Sequence, residues 1–343
     1  MFRVTSPSAM SDRQLDRLIK RVATLLVIGL IAFVGFYVFD RWRVPATPMV
    51  DQRMAALEVA VRDDPSDITS RGQLADLYTA AGRFPEAITQ YAAILETGKQ
   101  DELAHFGRAR ALQASGDLAG AVADFTAVVD IAKGGEMAHV DPMLNAAYFG
   151  LGDIALKQGR PEDAIKNLTA ATDIKRSDAD ALNLLGTAYV AAGEPAKAIE
   201  PLKRAIAFVP LGWTEPYTTL AQAYAATGDP GMAEWAGAMA DLSSGQIEQA
   251  KTRLMAITDG KAGIDAAIGL GLVYERAGDG TAAAEWYTKA LALDPKNAEA
   301  RLGLGRVSTP DDSTAPYASA PPGASSAPLP ALPEPGAVEG GQS

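Results

Sequence analysis

The feature that most constrains this chain is a group of three small residues that recurs seven times. In each case a glycine is followed five residues later by alanine and preceded seven residues earlier by alanine or glycine. The glycines are Gly82, Gly116, Gly159, Gly193, Gly228, Gly245 and Gly278. They are separated by 34, 43, 34, 35, 17 and 33 residues. These spacings indicate a repeat of about 34 residues, interrupted by one insertion and one half-period.

Each repeat is predicted to fold as two antiparallel helices. The glycine ends the first helix, where a left-handed backbone is needed, and the small residues let the two helices approach closely. Large apolar residues recur at helical spacing in both helices, which is typical of a packed core rather than a ligand site. They include Leu74, Tyr78, Leu185, Tyr189, Leu220, Tyr224, Leu270 and Tyr274 in first helices, and Tyr91, Phe125, Leu168, Leu202, Leu254 and Tyr287 in second helices.

Two repeats carry nearly the whole pattern of a known family. They contain Leu185-Gly186, Tyr189, Ala198, Leu202 and Pro210, and Leu270-Gly271, Tyr274, Ala283, Tyr287 and Pro295. The pattern resembles that of the tetratricopeptide repeat family, with Leu202 in place of an aromatic residue. The resemblance implies an all-α fold, a right-handed α-solenoid of helical hairpins, over residues 50–307. The family includes co-chaperones, secretion and pilus assembly factors and cytochrome maturation proteins, so the resemblance implies binding of a protein without identifying it.

Several parts of the repeat region are irregular. Gly237 and Asp241 depart from the pattern where the spacing falls to 17 residues, so one helix, about 232–242, is predicted to serve two half-repeats. Helices at about 50–62 and 298–306 are predicted to close the two ends of the solenoid. The insertion near 136–144 is predicted to be a loop or a lengthened helix end.

Residues 22–39 form an uncharged apolar segment. As a helix it would be roughly 27 Å long, which nearly spans a bilayer core. The alternative is a cleaved signal peptide, but the segment is longer than a usual signal-peptide core, so we expect an uncleaved transmembrane helix. Five basic residues precede it and three follow, which predicts a single-pass protein of the inner (cytoplasmic) membrane with residues 1–21 in the cytoplasm and the repeats outside it. Residues 40–49 are a linker.

The charge and composition exclude several classes of function. The formal net charge is −11, and because the first 43 residues hold seven Lys/Arg and three Asp/Glu, the remainder is more acidic still. An acidic body without clustered basic residues does not suit nucleic-acid binding. The chain has no cysteine and only two histidines, His105 and His139, so we expect no thiolate chemistry, no metal site, no cofactor and no catalytic set.

The segment from 308 to 343 changes abruptly to Pro, Ala, Ser and Gly. Such a composition predicts a disordered tail, because it offers little apolar surface to bury. A solvated terminus and a ligand for another binding module are both open interpretations of this tail.

The surface with a predicted function is the inner wall of the solenoid, lined by the first helices. Counting back from each glycine predicts a partner-binding groove of Asp76, Phe106, Arg110, Gln113, Phe149, Asp153, Asn183, Thr187, Thr218, Gln222 and Ile268. Phe106, Phe149 and Ile268 each precede a glycine, which would leave an opening for a partner side chain. The alternative is that these three residues pack against the adjacent repeat. The groove suits an apolar or amphipathic protein segment better than a terminal carboxylate.

Two functions are consistent with these patterns. The first is a membrane-anchored scaffold that mediates protein–protein interaction and assembly of a membrane or envelope complex. The alternative is a chaperone-like maturation factor that holds exported client polypeptides, as the resemblance to cytochrome maturation proteins implies. No convergent set of catalytic residues supports an enzyme.

Overall fold

The computed structural model describes residues 48–98 and 101–308. The predicted transmembrane helix at 22–39, the N-terminal segment 1–21, most of the linker and the tail from 309 lie outside the described residues. No helix within 48–98 or 101–308 is both long and apolar enough to cross a membrane. These residues form 15 α-helices and one short 3-10 helix, and they divide into two compact units, residues 48–98 and residues 101–308.

The first unit contains one leading helix and one hairpin. Its helices are α1 (Pro48–Asp63), α2 (Ile68–Ala80) and α3 (Phe84–Leu95). Asp67 caps α2, because its carboxylate accepts hydrogen bonds from the amides of Thr69 and Ser70. The hydroxyl of Tyr78 in α2 donates a hydrogen bond of 2.8 Å to Glu58 of α1. The leading helix predicted at about 50–62 is therefore confirmed and is held by a buried aromatic residue.

The described part of the second unit contains five hairpins, one additional helix (α12, Ile247–Ala256) and a closing helix. Its first four pairs are α4 (Asp101–Ser115) and α5 (Leu118–Ala132), α6 (Pro142–Lys157) and α7 (Pro161–Ile174), α8 (Ala179–Ala191) and α9 (Pro195–Phe208), and α10 (Glu215–Ala226) and α11 (Pro230–Ser243). They are followed by α12 (Ile247–Ala256), the pair α13 (Gly263–Arg276) and α14 (Gly280–Leu293), and α15 (Ala298–Ser308). The insertion forms a loop with a 3-10 helix at Ala138–Val140, as predicted, and Asp141 caps the helix that follows.

The seven glycines of the pattern all occupy the backbone conformation for which they were predicted. Their φ angles lie between 68° and 91°, a region that side chains with a Cβ rarely adopt. Each follows a first helix, so the chain can reverse into the second helix within a few residues.

The small residues inside the first helices allow close packing. A Cβ added at Gly152 would lie 2.5 Å from Cγ of Leu168, and Gly186 and Gly271 face Leu202 and Tyr287 in the same way. The second helix thus presents a large residue to a position where the first helix has no side chain. Leu168, Leu202 and Tyr287 are completely buried as a result.

The half-period is explained by one helix with two partners. Helix α11 packs against α10 as a second helix and against α12 as a first helix, as predicted. Gly237 leaves room over α11 for the guanidinium of Arg253, which reaches across from α12. Arg253 binds Glu234 at 2.6 Å and Asp241 at 2.9 Å, the two residues that flank Gly237 on the same face of α11. An ion-pair cluster therefore replaces the leucine and tyrosine of the ordinary repeat.

The closing helix α15 is attached to the last hairpin by a polar network. Arg306 donates two hydrogen bonds to Glu275, of 2.7 and 2.9 Å, and the hydroxyl of Tyr287 donates a third, of 2.7 Å. Gly303 lies against the ring of Tyr287. Burial raises the pKa of Glu275, but the hydrogen bonds from Arg306 and Tyr287 outweigh it, so the pKa is lowered overall. The carboxylate is therefore held in its charged form.

Candidate partner-binding surface

The eleven predicted groove residues all lie on first helices. Asp76 is on α2 in the first unit, where its carboxylate accepts a hydrogen bond of 2.6 Å from the hydroxyl of Tyr91. The other ten lie in the second unit, on α4, α6, α8, α10 and α13. We call these ten the first-helix wall: Phe106, Arg110, Gln113, Phe149, Asp153, Asn183, Thr187, Thr218, Gln222 and Ile268. Helix α8 contacts both α6 and α10, so the first helices of these three successive repeats lie side by side.

The accessible part of the first-helix wall is polar. Arg110, Thr218 and Gln222 are exposed, and Gln113, Asp153 and Thr187 are half-buried. The amide of Gln113 donates a hydrogen bond of 2.8 Å to Asp153, which joins α4 to α6 across the boundary of two repeats.

A lysine that the sequence analysis did not include belongs to the same surface. The ammonium group of Lys157 lies 2.7 Å from the carboxylate of Asp153, one helical turn away on α6. The spacing of four residues between two opposite charges is a sequence signal that would have identified it.

The apolar part of the first-helix wall is mostly inaccessible. Phe106 is only 9% exposed, and its ring packs edge to face against Phe125, with 6.0 Å between the ring centres. Ile268 is 7% exposed. The expectation that these two side chains are open to a partner is therefore wrong, and the packing alternative is correct for them. Phe149 is half-buried against the cluster that includes Leu168 and remains partly accessible.

Two of the three openings predicted beside these residues, those at Gly150 and Gly269, are filled by the chain itself. A Cβ added at Gly150 would lie 2.6 Å from the ring of Phe125. A Cβ added at Gly269 would lie 3.0 Å from Leu254, which belongs to the shared half-repeat. Both glycines are needed for close helix packing, so these two positions provide no space for a partner side chain.

Asn183 is the most buried polar residue of the first-helix wall. It is 8% exposed, and its side-chain oxygen has no hydrogen-bond partner among the described residues. The hydroxyl of Thr187 donates instead to the backbone carbonyl of Asn183, one turn earlier. A buried acceptor without a donor is costly, so this position does not contribute to stability through its amide oxygen.

A second polar cluster lies next to the first-helix wall on α4 and α5. Asp124 is 3% exposed, and both of its oxygens accept hydrogen bonds from Arg108, at 2.6 and 2.7 Å. The ring nitrogen Nδ1 of His105 lies 2.7 Å from the same carboxylate. The hydrogen bond to Asp124 raises the pKa of Arg108. The sequence signal is that Arg108 precedes the small residue Ala109 at a position where every other repeat except the half-repeat has leucine.

Within the described residues, no group of three or more His, Asp or Glu side chains has the arrangement of a metal site. His105 is engaged with Asp124, and His139 lies exposed in the 3-10 helix.

Stacked helical hairpins with an accessible wall of first helices define a class of repeat protein that binds other proteins. The sequence matches the description "Tetratricopeptide repeat" over residues 73–136, 146–212 and 264–307, which together make up about half of the chain. The chain belongs to the tetratricopeptide repeat family. This membership supports a protein–protein interaction scaffold that binds protein partners.

Solved structures with similar folds include other repeat proteins. A crystal structure of MamA protein is 22% identical, covers 53% of this chain and 94% of its own, and has a TM-score of 0.47. The C-terminal part of a tetratricopeptide repeat protein from Cytophaga hutchinsonii is 18% identical, covers 74% and 94%, and has a TM-score of 0.48. A tetratricopeptide repeat protein from Parabacteroides merdae is 14% identical, covers 75% and 91%, and has a TM-score of 0.42. No curated protein sequence matches the chain.

Proposed function

We propose that this protein is a membrane-anchored scaffold that holds a partner protein against the first-helix wall and so assembles a membrane or envelope complex. The observation that carries the proposal is the row of accessible polar side chains contributed by neighbouring first helices, above all Arg110, Asp153, Thr218 and Gln222. The apolar segment 22–39 supports the membrane anchor, and the excess of basic residues before it supports an extracytoplasmic repeat domain.

The accessible side chains also favour one chemistry for the partner. Because Phe106 and Ile268 are buried, the wall presents mainly hydrogen-bonding and charged groups, with Phe149 as a partly accessible apolar contact. An amphipathic segment, with one polar and one apolar side, fits this combination better than a wholly apolar one.

A chaperone-like maturation factor is the second candidate. The observation that favours it is a set of exposed large apolar residues outside the wall: Met137 (66%), Phe208 (51%) and Leu293 (61%). Such residues can hold unfolded exported polypeptides without requiring one particular sequence.

The scaffold and the chaperone are distinguished by the proteins that co-purify with the full chain in detergent. We expect one stoichiometric partner, and we expect Thr218→Arg combined with Gln222→Arg to release it, because two long charged side chains would block the wall. The matched control is Thr126→Arg, at an exposed position on the second helix α5. A heterogeneous set of clients that survives the wall substitutions would favour the chaperone, and loss of the partner in the control would contradict the proposed surface.

The proposed orientation has its own experiment. The chain has no cysteine, so single substitutions Ser8→Cys and Ser70→Cys can be labelled selectively. An impermeant thiol reagent applied to spheroplasts is expected to label Ser70→Cys and not Ser8→Cys. The opposite labelling would place the repeats in the cytoplasm.

A further inference from the structure

Two carboxylates lie at equivalent positions on the first helices α8 and α10. Asp180 and Glu215 are 35 residues apart, the same spacing as that between the turn glycines Gly193 and Gly228. Because α8 contacts α10, the two acidic residues lie on neighbouring helices at the edge of the first-helix wall. Both are exposed, and neither forms an ion pair with a cation among the described residues.

This part of the wall has no positive charge available to balance them. Helices α8 and α10 contain no lysine or arginine. Lys175, in the turn before α8, lies 3.5 Å from Asp178, and Lys157 on the adjacent α6 is paired with Asp153. The pKa of Asp180 is raised, first because the surrounding chain partly shields the carboxyl from water and then because Asp178 is nearby. A cation that approached this carboxylate would stabilise its charged form.

The neutral side chains beside these carboxylates offer acceptors rather than donors. Asn183 lies three residues after Asp180, and Thr218 lies three residues after Glu215, so each is on the same side of its helix as the carboxylate. The hydroxyls of Thr187 and Thr218 donate to backbone carbonyls of their own helices, at 3.0 and 3.1 Å. These two hydroxyl groups therefore have only their oxygen lone pairs to offer to a partner.

Asn183 provides the independent observation that a donor is missing from this surface. The residue is 8% exposed, and its oxygen Oδ1 is buried without a hydrogen-bond partner among the described residues. An unpaired buried acceptor is costly, so the chain gains free energy when a donor reaches it. Rotation about the last torsion of the side chain exchanges the amide oxygen and nitrogen, which lets the oxygen turn toward an arriving donor.

We propose that the partner is an amphipathic segment whose polar side is basic, with one lysine or arginine that donates to Asp180 and Asn183 and a second cation opposite Glu215. This inference rests on the proposed function, because it takes the first-helix wall as the surface that the partner occupies. Ammonium and guanidinium groups have donors and no acceptors, which matches a surface of carboxylates and unpaired acceptors. The half-buried Phe149, on the adjacent first helix α6, provides the contact for the apolar side of the segment.

The sequence of the segment that the wall holds tests the proposal directly. A photoreactive amino acid at the exposed Thr218, in the full chain in its native membrane, is expected to cross-link to another protein. Mass spectrometry of the adduct is expected to identify a segment with a net positive charge. An acidic or uncharged segment of another protein overturns this inference alone, whereas a segment of this chain or the absence of any adduct contradicts the proposed function as well.

Removal of the two charges without a change in side-chain size tests the same contact. The combination Asp180→Asn with Glu215→Gln is expected to lower the yield of the Thr218 adduct roughly fivefold or more, because two ion pairs are lost. The matched control is Glu162→Gln with Glu248→Gln, at exposed positions of the second helices α7 and α12, which removes the same charge and should leave the yield unchanged. An undiminished yield in the first combination, or an equal loss in the control, overturns the proposal.

The substitution Asn183→Leu distinguishes a contact with the partner from a structural role. Leucine removes the unpaired acceptor and keeps a side chain of similar size, so the melting temperature is expected to stay at or above that of the wild type. The yield of the Thr218 adduct is expected to fall, because the cation of the partner loses one acceptor. A yield equal to that of the wild type would show that the amide oxygen of Asn183 does not bind the partner, which overturns the proposal.

Discussion

Charged residues at positions that are apolar in other repeats each form an ion pair with a residue of the neighbouring helix. Arg108 occupies a leucine position of the second hairpin pattern, and the buried Asp124 of the next helix accepts both of its hydrogen bonds. Gly237 and Asp241 occupy a leucine and a tyrosine position, and Arg253 fills the space and pairs with the carboxylate. An uncompensated charge at either place would be strongly destabilising, so each cluster acts as a unit.

Phe106 is the residue at which the structure most changes the expected effect of a mutation. Because Phe106 is buried against Phe125, we expect Phe106→Ala to lower the free energy of unfolding by about 3–5 kcal/mol, the usual cost of truncating a buried phenylalanine. The exposed Thr218 is the control, and Thr218→Ala should change stability by less than about 0.5 kcal/mol. Thermal and denaturant unfolding of both variants measure this, and a Phe106→Ala chain as stable as the wild type would return Phe106 to the binding surface.

The stability with which the closing helix is attached depends on pH through Glu275. Its pKa is lowered in the folded chain, so its contribution to stability is present above the unfolded value of about 4.3 and is lost as the pH falls through the folded value. We expect Glu275→Gln to lower the melting temperature at pH 7, and the difference from the wild type to shrink as the pH falls below about 4.3. The control is the exposed Glu285→Gln, which should leave the melting temperature at pH 7 close to that of the wild type. If the difference in melting temperature between Glu275→Gln and the wild type stayed constant with pH, the charge of Glu275 would not contribute to stability.

At the scale of the helical hairpin, the spacing between the two helices is set by residues without a side chain. Gly152, Gly186 and Gly271 each lie directly beneath a large residue of the second helix. The same arrangement gives complete burial of Leu168, Leu202 and Tyr287, which are among the largest fully buried side chains. Replacing one of these glycines by alanine is therefore expected to destabilise the hairpin, although alanine has the better helix propensity.

This sensitivity is measurable at a single position. Gly152→Ala places a methyl group 2.5 Å from Leu168, so we expect it to destabilise the chain by about 1–3 kcal/mol despite the better helix propensity of alanine. Gly280→Ala is the matched control, because no atom lies within 4 Å of the added methyl group and Gly280 has ordinary helical geometry. Equal melting temperatures for the two variants would contradict the packing argument.

The hairpins could be predicted from the sequence because their determinants are local. Every turn glycine has the predicted positive φ, and the shared helix and the closing helix begin and end within two residues of their expected positions. The exposure of the first-helix wall could not be predicted in the same way. Whether Phe106 or Ile268 reaches solvent depends on Phe125 and on the packing of the next repeat, which a count from one glycine does not include.

At the scale of the whole molecule, this tetratricopeptide repeat protein has two compact units among its described residues, a polar wall of first helices in the second unit and an apolar segment near its N-terminus. The proposed scaffold function needs the wall to be the surface that a partner occupies. The second helices form the other layer of each hairpin, and they serve as the control surface that the partner is not expected to contact.

The most direct test is site-specific photo-cross-linking of the full chain in its native membrane. A photoreactive amino acid at Gln222 reports on the first-helix wall, and the same amino acid at the exposed Lys166 of α7 reports on the second helices. We expect one adduct of defined mass from Gln222 and none from Lys166. Adducts from Lys166 alone, or no adduct from Gln222, would contradict the proposed function.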